Sequence, residues 1–309
     1  MCEISIVIPV RDEEQNLDEL IARIFISLER MNKSFEIIFV TDINKDNTVD
    51  LLEEYSKRTP NVKTIKLSNG FGQHIAVLAG LDHARGEAIA IMDGDLQDCP
   101  EDIALLYDKL QENYDVVYGI KDSKDDSIFR NSSSRLFNWI MDLFSDKKVR
   151  NNSSMFRMIS RKALIEIVKF REYEPSLTYI FSYINLPTAN VKVTSGKRLY
   201  GQTKYSFLKL LSFAISSLLS FSRKPLKIIS ILGLVMSLLS FFYFAVVLIQ
   251  YLFFKIEVQG WTTLIVVSTL IGGIQLLSLG VIGEYIGRMY MQTKNRPLYI
   301  VERKIGKFD

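Results

Sequence analysis

Cysteine and histidine are almost absent from this 309-residue chain, which has only Cys2, Cys99, His74 and His83. Two cysteines cannot build a disulfide framework, and they suit a reducing, cytoplasmic setting for the globular part. The histidines stand nine positions apart with no partner at ligand spacing, so a zinc site is excluded. No G-x-S-x-G occurs, and with it goes the nucleophile elbow of a serine hydrolase. Gly70, Gly72 and Gly80 in "SNGFGQHIAVLAG" form neither a G-x-G-x-x-G nor a P-loop with its Lys-Ser/Thr. The net charge is only +3, and no Lys/Arg-rich run interleaved with aromatics occurs in the first two hundred residues, which excludes nucleic acid as a partner. "MCEISIVIPV" puts an acid and no basic stretch before a short apolar run, unlike a signal peptide.

Apolar residues are plentiful, at 48% of the chain. Two runs carry no charge: Ile228 to Phe254, 27 residues, and Val258 to Gly283, 26 residues. Each exceeds the roughly 20 residues that cross a bilayer, so two transmembrane helices are expected. Arg223, Lys224 and Lys227 precede the pair, and Arg288, Lys294, Arg296, Arg303 and Lys304 follow it. The positive-inside rule therefore puts both termini in the cytoplasm.

The first two hundred residues alternate strand and helix signals. "EISIVIPV", "FEIIFVTD", "VKTIKLS", "EAIAIMDGD" and "YDVVYGI" read as strands separated by amphipathic helices. This order predicts an α/β, doubly wound, mostly parallel sheet. Residues 1–200 are expected to form this cytoplasmic domain. Tyr205–Pro225 is apolar at helical spacing and reads as an interfacial amphipathic helix within 201–225. Residues 226–287 are the expected membrane hairpin and 288–309 a cytoplasmic tail.

Ligands of open α/β sheets sit beyond the carboxyl ends of the strands. There the chain places Arg11-Asp-Glu-Glu14, Thr41-Asp42 and "IMDGDLQDCP". If strand pairing persists through the last of these, a period of two turns Asp93, Asp95 and Gln97 to one face. Such hard oxygen ligands suit Mg²⁺ or Mn²⁺, which also takes substrate phosphates as ligands. Asp98 and Pro100 read as the start of the next helix. Lys121, Arg130, Arg135, Arg157, Lys197, Arg198 and Lys204 gather ahead of the interfacial helix, where a basic cluster serves either lipid headgroups or a clamped phosphate.

"SIVIPVRDEEQNL", "LSNGFGQHIAVLAGLDHARGEAIAIMDGDLQDCPE", "DSIFRNSSS", "FRMISRK", "GQTKYSF" and "GEYIGRMYMQTKNRPLYIVE" together resemble the family 2 polyprenyl-phosphate glycosyltransferases over nearly the whole chain. The resemblance implies a GT-A fold and inverting transfer of a sugar from a nucleotide diphosphate to a polyprenyl phosphate. Undecaprenyl phosphate in a bacterial inner membrane is the implied acceptor, UDP is favoured as the donor nucleotide, and a homo-oligomer, by likeness a tetramer, is implied. Position by position, Pro9, Arg11 and Glu13 match the nucleotide-binding segment, with Arg11 in place of Tyr. Asp42 matches a base-contacting Asp, with Thr41 and Asn44 replacing its usual Asp and Ser neighbours. Asp93, Asp95 and Gln97 match metal and diphosphate residues. Arg130 and Ser134 match an acceptor-phosphate pair, and Lys121 stands where many members have Arg. Arg198, Thr203 and Lys204 match a further phosphate-contacting segment. Asp95, Arg130, Ser134, Arg198 and Lys204 are thus the expected catalytic set. Asn152 and Met155 stand where acids are common, a departure that bears either on a catalytic base from that segment or on the identity of the sugar. The acceptor phosphate is already an anion at neutral pH and needs little deprotonation. A processive polysaccharide synthase of the same fold would carry Q-x-x-R-W and more spans, and neither is present; an inactive scaffold would not need Asp93, Asp95 and Gln97 intact.

Overall fold

The computed structural model describes residues 2–121, 155–196, 224–250, 253 and 260–308. Its first compact unit holds one eight-stranded sheet. The strands are β1 (Ile4–Val10), β2 (Phe35–Thr41), β3 (Val62–Leu67), β4 (Ala88–Ile91), β5 (Val116–Lys121), β6 (Arg157–Ser160), β7 (Thr188–Val193) and β8 (Val301–Ile305), in the order β7-β5-β6-β4-β1-β2-β3-β8. The helices of this unit are α1 (Leu17–Met31), α2 (Thr48–Arg58), α3 (Gln73–Leu81), α4 (Ile103–Leu110), α5 (Arg161–Ile167) and α6 (Leu177–Ile184). The pairs β1–β2, β1–β4, β2–β3 and β5–β7 are parallel, while β6 and β8 pair antiparallel with their neighbours.

The central strands are buried on both faces, which is why they read as continuous apolar runs rather than alternating ones. Ile4, Ile6 and Ile8 of β1 pack with Leu20, Ile24 and Leu28 of α1 on one face, and Val7 packs with Val77 and Leu78 of α3 on the other. Helices therefore cover both faces, as the alternation predicts. All five strands expected from the sequence are present. The sequence reading did not anticipate β6, β7 and β8.

The expected tail, 288–309, needs correcting. Residues 288–293 continue the second apolar helix, and Val301–Ile305 is an edge strand of the sheet, paired with Thr64–Leu67. Leu298, Tyr299, Val301 and Phe308 pack on the core of that face, and the Tyr299 hydroxyl donates to Asp82 Oδ2 at 2.6 Å. Apolar burial and strand pairing hold this segment in the domain. The last strand of the sheet thus comes from the segment that follows the second apolar helix.

The second unit contains α7 (Lys224–Ile249) and α8 (Trp261–Thr293), two helices long and apolar enough to cross a membrane. The expected interfacial helix, Tyr205–Pro225, lies outside the described residues apart from Lys224 and Pro225, which begin α7.

Candidate active site

The loops that follow β1, β2, β3 and β4 share the carboxyl edge of the sheet. Those after β1 and β2 are bound together by hydrogen bonds. The Asp12 N–H donates to Asn44 Oδ1 at 2.9 Å, the Lys45 N–H to Asp12 Oδ1 at 2.6 Å, and the Glu13 N–H to Thr48 Oγ1 at 2.9 Å. Asp12 takes a left-handed φ of 55° to make this exchange. Glu13 accepts from Asn16 Nδ2 at 2.5 Å. Asp42 is buried beneath these loops. Its Oδ1 has no hydrogen-bond donor and lies 3.8 Å from Arg11 Nε, and Arg11 is otherwise exposed. The two loops thus bury one carboxylate, with the exposed Arg11 guanidinium as its neighbouring charge.

Beyond β4 the chain does not continue as a strand. Pairing to β1 ends at Ile91, and Leu96 has a φ of 61°, so the expected pairing through Asp93–Gln97 is corrected to a turn. Its exposure still alternates: Asp93, Asp95 and Gln97 are half-buried, and Gly94, Leu96 and Asp98 are buried. Local bonds set that pattern. The Gln97 N–H donates to Asp95 Oδ1 at 3.2 Å, the Asp93 N–H donates to Asp98 Oδ2 at 3.0 Å, and Gln73 Nε2 donates to Asp93 Oδ1 at 2.7 Å. Pro9 packs beside the turn, its carbonyl oxygen 3.6 Å from where a Cβ on Gly94 would stand.

Asp98 does not open the next helix. Pro100 does, starting a short 3-10 turn with Cys99 at its N-cap, while Asp98 is 2% exposed and pairs with Lys121 Nζ at 2.7 Å. The helix-start reading missed this because an acid two residues before Pro gives the same pattern in both roles.

Burial, and then the charges of Asp98 and Asp95, push the Asp93 carboxyl up to about 7, against the pull of Lys121 and the Gln73 hydrogen bond. This surplus of negative charge is what a cation would relieve. Among the described residues no three His, Cys, Asp or Glu side chains are grouped closely enough to hold a metal unaided. A metal on Asp93, Asp95 and Gln97 therefore needs oxygens from a ligand as well, which suits a cation shared with a diphosphate. The residues fit such a group.

Arg157, the first residue of β6, is 1% exposed and lies with its guanidinium carbon 4.6 Å from the Phe181 ring centre and 5.3 Å from that of Tyr118. Burial brings it down to about 10, opposed by Tyr118, Asp93 and Asp98, so it stays cationic at neutral pH. His74, at the start of α3, is lowered by burial and then by the Arg157 charge, and its Nδ1 is buried without a hydrogen bond.

Residues 5–168 match the family model for glycosyl transferase family 2, and residues 224–289 match that for the GtrB C-terminal hairpin. The chain belongs to glycosyl transferase family 2. This transferase is 38% identical over 303 residues to the glycosyltransferase YkcC of Bacillus subtilis, covering 98% of this chain and 94% of that one. It is 33% identical over 302 residues to the prophage bactoprenol glucosyl transferase homolog of Escherichia coli, covering 97% and 99%. It is 30% identical over 307 residues to the undecaprenyl-phosphate 4-deoxy-4-formamido-L-arabinose transferase of Proteus mirabilis, covering 98% and 94%. Among solved structures, glucosyl-3-phosphoglycerate synthase from Mycobacterium tuberculosis in complex with Mn²⁺, UDP and glucosyl-3-phosphoglycerate superposes with a TM-score of 0.51 at 16% identity, covering 72% of this chain and 80% of that one. That likeness is one of fold.

Within this transferase, Pro9, Arg11, Glu13, Asp42, Asp93, Asp95, Gln97 and Lys121 all lie at the carboxyl ends of β1, β2, β4 and β5. Arg130, Ser134, Arg198 and Lys204 lie outside the described residues, as do Lys197, Thr203 and Asn152. The described strand β7 continues into Thr194–Gly196, the run immediately before Lys197, and that run is pinned to the carboxylate turn. The Gly196 N–H donates to the Gln97 carbonyl at 3.1 Å, Ser195 bridges Asp98, and the Thr194 N–H donates to Asp102 Oδ2 at 2.6 Å. Gln73, His74 and Asp98 were not in the expected site, and Arg157 was expected only as one member of the basic cluster. The sequence signal for the first three was proximity to a motif, since a Gln or His opening a helix usually faces solvent or core without function.

Proposed function

We propose that the protein transfers a glycosyl group from a nucleotide-diphosphate sugar to a polyprenyl phosphate. The carrying observation is the carboxylate turn Asp93–Asp98 with the Lys121 ammonium 2.7 Å from Asp98, in a chain matched over nearly its full length by relatives named for transfer to undecaprenyl phosphate and bactoprenol. The β1 and β2 loops bind the nucleotide, with Pro9, Arg11 and Glu13 on the first and Asp42 on the second, where the Asp42 carboxylate accepts from a base N–H such as that of uracil; that Asp42 Oδ1 has no hydrogen-bond donor supports this reading. We assign a UDP-sugar as the donor and undecaprenyl phosphate as the lipid acceptor.

Asp93, Asp95 and Gln97 would hold Mg²⁺ or Mn²⁺ with the diphosphate, and the bound ion neutralises charge on the leaving group. Lys121, Arg130 and Ser134 hold the acceptor phosphate, and Arg198 and Lys204 serve acceptor and diphosphate oxygens. A phosphate oxygen attacks the anomeric carbon from the side opposite the diphosphate, the bond from that carbon to the diphosphate oxygen breaks, and the configuration inverts. The acceptor enters as an anion, so rate comes from alignment and charge neutralisation rather than from a base. The positive-inside pattern sets both termini, and hence the site, on the cytoplasmic face, and the protein assembles as a homo-oligomer, a tetramer by likeness.

The test offers purified protein a panel of radiolabelled nucleotide sugars with undecaprenyl phosphate. Label should pass into lipid with one of them, stop with EDTA and return with Mg²⁺ or Mn²⁺. Asp95→Ala should abolish transfer and still insert in the membrane. Wild-type turnover in that variant would remove the metal assignment.

A further inference from the structure

Asp98 joins three parts of the domain that the sequence keeps apart. It is 2% exposed at the foot of the carboxylate turn. Oδ2 accepts from the Asp93 N–H at 3.0 Å, Oδ1 pairs with Lys121 Nζ at 2.7 Å, and its backbone bridges Ser195. One oxygen therefore serves the backbone of the carboxylate turn and the other the ammonium at the end of β5. A lysine at a strand end has a long, mobile stem that loses side-chain entropy when it is held. Lys121 is three-tenths exposed while Asp98 is almost fully enclosed, so the carboxylate is the fixed partner and the ammonium the tethered one.

From this geometry we infer that Asp98 is a positioning residue, which holds the Lys121 ammonium beside the carboxylate turn where the acceptor phosphate must arrive. The inference rests on the function proposed above. Asp98 touches no substrate in this role. Its second oxygen fixes the Asp93 backbone whether or not Lys121 is present, so the two duties are separable. Asp98→Asn keeps an oxygen to accept from the Asp93 N–H and removes the charge that tethers Lys121.

The test is a double-mutant cycle on the full-length protein in detergent: wild type, Asp98→Asn, Lys121→Ala and both together. Two readouts are taken. One is the set of steady-state constants for transfer. The other is the dissociation constant of a short-chain prenyl phosphate, titrated calorimetrically into metal-free protein in EDTA. Asp98→Asn should raise the acceptor KM and this dissociation constant about five- to tenfold, leave the nucleotide-sugar KM within twofold, and keep the thermal midpoint near wild type. In the Lys121→Ala background the same change should add less than twofold. Additive effects would overturn the inference, as would a shift in the nucleotide-sugar KM as large as that for the acceptor. Should Asp98→Asn fail to fold, Lys121→Arg, which keeps the pair, must bind prenyl phosphate within threefold of wild type while Lys121→Gln loses at least fivefold, or the inference falls. A wild-type protein that transfers no sugar to any polyprenyl phosphate would instead sink the proposed function.

Discussion

Gly196→Ala perturbs one of the tightest backbone contacts beside the site. A Cβ at this position would overlap the carbonyl oxygen of Leu96 and stand 3.2 Å from its carbonyl carbon and 3.3 Å from Gln97 Cα. These are backbone atoms, so no side-chain rotation relieves the overlap. The run Thr194–Gly196 must move off the carboxylate turn, and it then loses the hydrogen bond from the Gly196 N–H to the Gln97 carbonyl and the Ser195–Asp98 bridge. Each net hydrogen bond is worth about 0.5–1.5 kcal/mol, which sets the loss at roughly 1–3 kcal/mol. A domain typically holds about 5–15 kcal/mol, so the fold survives. Catalysis should suffer far more, because residues 197–204 follow directly and displacement by about 1 Å at a reacting centre costs on the order of 10²-fold. The expected result is a thermal midpoint lowered by only a few degrees, with kcat for sugar transfer down at least about 50-fold. A folded variant with wild-type kcat would refute the claim that this contact positions the site.

Glu36 and Lys63 form a buried pair at 2.7 Å, far along the sheet from the site, and Glu36 also accepts from Ser5 and from the Arg85 N–H. Burial alone would raise the Glu36 carboxyl, but the bonds from Lys63, Ser5 and Arg85 outweigh it and the net shift is downward. A depressed carboxyl contributes stability above its unfolded value near about 4.3, and that contribution disappears as pH falls through the lower folded value. Glu36→Ala should cost about 3–5 kcal/mol at pH 7 by leaving the Lys63 charge buried, and the gap to wild type should narrow below about pH 4 in denaturant melts. A gap unchanged with pH would refute it. Ending the chain at Arg296 removes β8 and bares the β3 edge. It should cost at least about 2 kcal/mol, the worth of one buried apolar side chain, and open the domain to limited proteolysis. A truncated protein as resistant as wild type would show that β8 is dispensable.

The five strands read from the sequence are those whose residues are buried on both faces, so that their composition announces them. β6, β7 and β8 become strands only through their neighbours. "RMIS" is four residues long, "TANVKV" alternates weakly, and "VERKI" keeps three consecutive residues exposed. The carboxylates of the site were legible because charge after an apolar run is costly unless used. Asp98 was not, since its buried pairing to Lys121 depends on a residue 23 positions away that only the sheet brings near. Arg157 was legible as one of several basic residues, but its place was not. Because β6 runs antiparallel, its first residue is paired with Ile91 at the end of β4 and with Tyr118 in β5, which brings a cation beside the acidic turn.

The spacing of strand ends explains why the turn sits where it does. β4 stops at Ile91, in register with Val7, while β1 runs on three residues to Val10. That overhang is the surface on which the carboxylate turn folds. A Cβ on Gly94 would come within 2.8 Å of Val10 Cγ1, so the residue between the two aspartates must be small because of the neighbouring strand. The aspartates are held apart by packing, Asp93 is tied to Asp98 and Gln73, and Arg157 lies buried nearby among aromatic rings. Preorganisation of this kind lets a charged ligand meet fixed partners without reorganising them, which is where electrostatic catalysis gains most. The same sheet that carries this acidic turn at its edge thus supplies both the small neighbour that fits against β1 and a nearby counter-charge.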